Sequence, residues 1–211
     1  MSQNTSFLTI NKLISPKFWN HICSPNCILK IFAIFAKTKH EMKEIYLAGG
    51  CFWGTQHYLK QINGVLSTEA GYANGHVTNP TYEQVYTDTT GFAETVHVVY
   101  DPKIVSLELL LDLYFHTIDP TSLNKQGGDI GTRYRTGIYY TTEEDLPIIR
   151  KVYDTIAANH SIPLVVEVDH LINYYPAENY HQDYLDKNPS GYCHIPFYMM
   201  EMARKANRQK E

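Results

Sequence analysis

The sequence predicts an α+β fold: a two-layer sandwich with a mixed β-sheet core, flanking helices and a coil-rich C-terminal segment. Three observations carry that expectation. Strand-length β-prone runs interleave with runs of helical period, without the regular repeat of a doubly wound sheet. Hydrophobic residues make up 44% and charged residues 19% of the 211 positions, as in globular domains. No internal repeat or low-complexity tract breaks the pattern.

The elements follow in order. "KEIYLAGG" (43–50) is a short β-prone run ending in glycines, hence a strand running into a turn. "CFWGTQHYLKQI" (51–62) sets Tyr58, Leu59 and Ile62 on one helical face with Cys51 at its start. "GVLSTEAGYANG" (64–75) is a strand closed by an Asn-Gly turn. "FAETVHVVYDP" (92–102) alternates as a strand. "SLELLLDLYFHTID" (106–119) is the clearest helix: Leu107, Leu110, Leu111, Tyr114 and Ile118 recur at helical spacing behind Ser106 as N-cap. A glycine-rich loop (126–132) leads to the strand "RTGIYYT". Residues 145–159 form a second helix with Leu146, Ile149, Tyr153 and Ile156 inward. "LVVEVDHL" is a strand and "AENYHQDYLDKN" a short helix, and the tail from Pro189 has little pattern.

Charge marks a boundary near Met42. Residues 1–40 hold five Lys and no acid, while the rest of the chain carries 13 Lys plus Arg against 22 Asp plus Glu, a balance of −9. Residues 1–41 are therefore expected to be a loosely ordered extension, and 42–211 the folded domain. A targeting role for the extension fits poorly, because it has no Arg and no basic start. The overall charge of −4 disfavours nucleic acid, and no apolar run is long enough for a membrane span. Of four cysteines, Cys23 and Cys27 lie in the extension, where only His21 is near enough to help bind a metal. Cys51 and Cys193 are the informative pair.

Cys51 sits between a glycine pair and two aromatics, at the start of a helix. Unpaired N–H groups there, with the helix dipole, favour a thiolate, so an exposed nucleophile is expected. The commoner alternative is a buried, inert cysteine. Phe52 and Trp53 are adjacent, so they cannot share one core face, and at least one is expected to face a cleft. Glu94 stands between Ala93 and Thr95 at the start of an apolar strand. If buried there it is a protonated donor, although periodicity alone favours the wet face. A cysteine hydrolase using His97, His170 or His181 is a rival reading. A tyrosine-rich binding module with an unreactive Cys51 is another.

Six blocks then carry a resemblance: "GGCFWG", "GYANG", "TYEQV", "GFAETVHVVYDP", "IDPTSLNKQGGDIGTRYRTGIYY" and "AENYHQDYLDKNPSGYC". In order, from about Glu44 to Cys193, they resemble the peptide methionine sulfoxide reductase A family. The resemblance implies the two-layer α+β fold and reduction of the S epimer of methionine sulfoxide, free or in proteins. It implies Cys51 as nucleophile, Phe52 and Trp53 as the wall for the substrate's S-methyl group, and Glu94 as the protonated acid. Tyr82 and Tyr134 would hydrogen-bond the sulfoxide oxygen, and Asp129 would order the site. Glu178, His181 and Tyr184 would stand behind these residues. Cys193 would resolve the sulfenic acid left on Cys51, and thioredoxin (or dithiothreitol in vitro) would open the resulting disulfide. No bound cofactor or metal is implied. A cytoplasmic monomer is expected, or an exported or organellar one if residues 1–41 act as a targeting segment.

Overall fold

The computed structural model describes residues 42–207. The expectations for residues 1–41, including His21, Cys23 and Cys27, lie outside the described residues.

A six-stranded sheet runs in the order β7-β6-β1-β3-β2-β8. Its strands are β1 (Lys43–Gly49), β2 (Val65–Ala73), β3 (Ala93–Tyr100), β6 (Thr136–Tyr140), β7 (Glu167–His170) and β8 (Tyr174–Pro176). Neighbours are antiparallel except β6 and β7, which are parallel, so the sheet is mixed as predicted. A parallel pair needs a crossover, and α4 (Leu146–Ala157) lies in the segment that joins β6 to β7.

Strand alternation sorts the two faces. Ile45 and Leu47 of β1, with Val96, Val98 and Tyr100 of β3, join the helix residues Leu59, Leu110, Leu111 and Ile149 in the main core. Tyr46, Ala48, Ala73, Ala93 and Tyr139 form a smaller cluster. The helical layer is built from α1 (Phe52–Leu59), α3 (Leu107–Phe115), α4 and a helix near the C-terminus. Ser106 caps α3 by accepting the Leu109 N–H at 3.2 Å. The Tyr114 hydroxyl donates to the Ala48 carbonyl at 2.7 Å, pinning α3 to the end of β1.

Several local expectations change. Asn74-Gly75 does not close a tight hairpin. Asn74 takes φ +57°, and the chain continues into a long connection holding α2 (Tyr82–Tyr86), whose start is a Thr81/Gln84 capping box. The glycine-rich loop contains a small hairpin, β4 (Lys125–Gln126) with β5 (Asp129–Ile130). Only Tyr184–Lys187 of the predicted 177–188 helix is helical (α5), because Asp183 stands at φ +52° before it. The tail holds a nine-residue helix, α6 (Phe197–Lys205). It buries only Met200 and Ala203, while Phe197 and Tyr198 remain exposed, so no clean apolar face is visible in its sequence.

Candidate active site

The β1–α1 turn sets the site. β1 stops at Gly49, Gly50 takes φ +80°, and Cys51 is the residue before the first turn of α1. A Cβ on Gly50 would lie 2.7 Å from Gln126 Cβ, so both the conformation and the space call for glycine. The Cys51 carbonyl accepts the Thr55 N–H at 3.3 Å and the Thr55 hydroxyl at 3.2 Å, which starts the helix.

Cys51 is buried, at 6% exposure, and not open as expected. Its pKa is also raised, not lowered. Burial and the nearby Glu94 push the thiol well up, outweighing the downward pull of the Trp53 and Gly54 N–H groups. The helix-start amides act in the predicted direction, but desolvation wins, so the resting sulfur is a thiol.

Glu94 is buried, at 1% exposure. It shares the parity of Val96, Val98 and Tyr100, so β3 turns it toward the core face and away from the wet one. Leu47 pairs with Val96, and two residues further along the same register Glu94 comes opposite Gly49, beside the Cys51 turn. The Phe52 N–H donates to Glu94 Oε2 at 3.0 Å. Burial pushes the carboxyl up to about 8, against the downward pull of the Phe52 N–H and the Arg133 guanidinium. Glu94 is thus mostly a neutral acid at pH 7.

Tyr82 and Tyr134 both feel the charges of Glu94 and Cys51. Burial raises both, Tyr134 to about 12, so each keeps its proton as a neutral donor. Arg133, which the sequence reading missed, holds this side of the site. Its guanidinium lies 4.4 Å from the Tyr134 ring centroid and 4.3 Å from that of Tyr86, and it pairs with Asp88. Asp129, on β5, accepts the Tyr192 hydroxyl at 3.1 Å.

The aromatic wall is continuous. Phe52 is buried, and its ring centroid lies 5.1 Å from that of His181. Trp53 stacks on Tyr184 at 3.8 Å and 11°, and its indole N–H donates to His181 Nδ1 at 3.0 Å. Burial lowers the His181 pKa, which keeps the ring neutral and able to accept that bond. The His181 ring also lies 4.4 Å from Tyr82. Glu178 accepts the Tyr82 N–H at 2.9 Å and the Tyr72 hydroxyl at 2.8 Å, bracing α2 against β2. Burial alone would raise Glu178, but these hydrogen bonds hold it below the usual carboxylate value.

Cys193 is half-buried, and both it and Cys51 are free thiols. Its sulfur packs on α1: a Cβ on Gly54 would lie 3.2 Å from Cys193 Sγ and 3.1 Å from His194 Nδ1. A cavity of about 520 Å³ opens beside it, lined in part by His57, Leu185, Phe197 and Met200. The histidines of the rival hydrolase reading are elsewhere or occupied. His97 pairs with Glu44 at 2.8 Å, His170 is exposed, and His181 is engaged by Trp53. Among the described residues, no group of three or more His, Cys, Asp or Glu converges to hold a metal.

A buried thiol beside a neutral carboxylic acid, hydroxyl donors and an aromatic wall defines a thiol oxidoreductase site, with the Cys193 thiol packed at Gly54 of the same helix. The family model for peptide methionine sulfoxide reductase matches residues 43–211. A peptide methionine sulfoxide reductase MsrA of Lachnoclostridium phytofermentans is 56% identical over 164 residues, covering 78% of this chain and 99% of that protein. The reduced form of Mxr1 from Saccharomyces cerevisiae superposes with a TM-score of 0.70 at 37% identity, covering 74% of this chain and 90% of that one. Mxr1 in complex with Trx2 matches with a TM-score of 0.50 at 26% identity, covering 69% and 86%. The chain belongs to the peptide methionine sulfoxide reductase family and is an oxidoreductase that reduces methionine sulfoxide.

Proposed function

We propose that this enzyme reduces the S epimer of methionine sulfoxide, free and in proteins, through a Cys51 sulfenic acid resolved by Cys193 and recycled by thioredoxin. The observation that carries this is the buried, protonated Glu94 bonded to the backbone beside Cys51. A sulfoxide oxygen is a strong acceptor and a poor leaving group. Glu94 hands it a proton while Tyr82 and Tyr134 donate to it, which makes the sulfur electrophilic. Phe52 and Trp53 enclose the S-methyl group. The Cys51 sulfur attacks and takes the oxygen: Cys51–SH plus R₂S=O gives Cys51–SOH plus R₂S. The Cys51 S–H proton returns to Glu94 as the sulfur attacks, so the protons balance, and the Glu94 charge that would oppose a Cys51 thiolate is absent while Glu94 is protonated.

Cys193 then displaces water from the sulfenic acid to form a disulfide, and a dithiol opens it by exchange. The Mxr1–Trx2 complex supports thioredoxin as that dithiol, and the cavity beside Cys193 gives it an approach. The need for a dithiol reductant suits a reducing compartment, and we infer a cytoplasmic monomer. Residues 42–211 are its catalytic domain, which the family match from residue 43 supports.

The test is a thioredoxin-coupled assay on the separated epimers. Turnover on the S form alone, with one methionine per thioredoxin oxidised, is expected. Equal turnover on both epimers, or indifference to thioredoxin, contradicts the reading.

A further inference from the structure

His194 follows Cys193 and has no place in the scheme above. Its ring spans the β1–α1 turn. Nε2 lies 3.0 Å from the Gly49 carbonyl oxygen. A carbonyl only accepts, so Nε2 must carry the proton and a neutral ring leaves Nδ1 bare. The Nδ1 atom is buried and has no hydrogen-bond partner. A buried acceptor left unpaired is costly, which calls for a reason. Both His194 Nδ1 and Cys193 Sγ flank the bare Cα of Gly54, at 3.1 and 3.2 Å from the point a Cβ would fill. Glycine inside a helix costs about 1 kcal/mol against alanine. Here it leaves room for both groups to sit against α1, with the Cys193 thiol donating to the Ile195 carbonyl at 3.3 Å.

We propose that His194 is the proton acceptor for the resolving thiol, an inference that rests on the reading of Cys193 given above. The Cys193 S–H bond breaks and its proton passes to Nδ1. The sulfur's electron pair forms the bond to Cys51 Sγ, and the Cys51 S–O bond breaks. The departing hydroxide takes the proton from Nδ1 and leaves as water. One sulfenic sulfur, already oxidised by the substrate, and one thiol sulfur end as a disulfide, and the sulfenic oxygen ends as water, so no outside oxidant is needed.

Burial raises the Cys193 pKa, so the thiol is protonated near neutral pH, and its S–H turns from the Ile195 carbonyl to Nδ1 for the transfer. Burial also lowers the His194 pKa, against the upward pulls of Asp129 and the Gly49 carbonyl, so the ring is neutral there. Asp129 on the β4–β5 hairpin and Cys193 itself are the titratable groups facing it; the neighbouring Gly49, Gly54 and Gly127 carry none.

The experiment follows disulfide formation in single turnover, with dimedone trapping any sulfenic acid. H194Q keeps an N–H donor for the Gly49 carbonyl and removes the base. One methionine per chain is still expected, while the Cys51–Cys193 bond forms about 10- to 100-fold more slowly and the trapped sulfenic acid accumulates. In the unaltered enzyme, the disulfide rate should rise through one ionisation below the ordinary histidine range and then stay flat through neutral pH. In H194Q it should climb steadily toward the thiol's own pKa. Equal disulfide rates in the two proteins overturn the proposal. So does an unaltered-enzyme profile that tracks only the thiol, a result that decides the matter even if H194Q fails to fold. Absence of any Cys51–Cys193 disulfide in the unaltered enzyme would instead sink the resolving role of Cys193.

Discussion

The backbone N–H of Phe52 donates to Glu94 Oε2 across 3.0 Å, so the residue after the proposed nucleophile is tied to the proposed acid. One end of β3 and the start of α1 therefore move as a unit. The bond favours the carboxylate, yet burial outweighs it and the acid stays neutral. In the proposed mechanism, substrate reduction depends on that balance.

Glu94→Gln keeps the acceptor for the Phe52 N–H and removes the proton. Methionine formation should slow by about 10²–10⁴-fold, with little change in KM. A stopped-flow measurement of the first turnover checks this. A rate within a factor of three of the unaltered enzyme rejects the proton-donor role.

The pH profile follows from the same group. Methionine formation should fall as pH rises through about 8, where Glu94 ionises. Stability has a matching dependence. The folded pKa of about 8 lies above the ordinary 4.5, so the folded state keeps the proton longer. Stability is full below the lower value and is lost as pH rises through the upper one. Glu94→Gln should therefore gain on the order of 2–5 kcal/mol relative to the unaltered protein between pH 5 and pH 9. Urea unfolding at both pH values measures it, and an unchanged difference contradicts the buried neutral acid.

Cys193→Ser should release one methionine per chain and then stop with thioredoxin as reductant. Mass spectrometry should find a dimedone adduct on Cys51. Sustained thioredoxin-driven turnover in that variant would show that another route recycles Cys51.

Gly54→Ala places a methyl group against Cys193 Sγ and His194 Nδ1. Helix propensity favours the change by about 1 kcal/mol, while the methyl at 3.1–3.2 Å from these atoms forces Cys193 and His194 to give way. Disulfide formation should slow several-fold as the pair shifts, while the methionine burst persists. A faster resolving step would mean that the space at Gly54 serves something else.

Much of the fold was legible because it follows from side-chain period. The alternation of Ile45, Leu47, Val96 and Val98 and the helical spacing of Leu107, Leu110, Leu111 and Tyr114 each expose one buried face. The same parity places Glu94 on the core face with Val96 and Val98, a sign that a simple wet-face reading passed over. What stayed hidden depends on neighbours distant in sequence. The Cys51 pKa is set by burial, with the charges of Glu94 on β3 and Asp129 on β5, which together outweigh the N–H groups of its own helix start. Arg133 reads as a surface charge until Asp88, Tyr86 and Tyr134 close around it. Helix α6 buries too few side chains to show a period.

The central claim is that Cys51 takes the substrate's oxygen and Cys193 resolves it. Its most direct measurement mixes reduced enzyme with S-methionine sulfoxide, without reductant, and counts methionine and protein disulfides by mass spectrometry. One methionine per chain with a Cys51–Cys193 disulfide is the predicted result, and Cys51→Ser should give neither. No methionine, with Cys51 still reduced, would contradict the account.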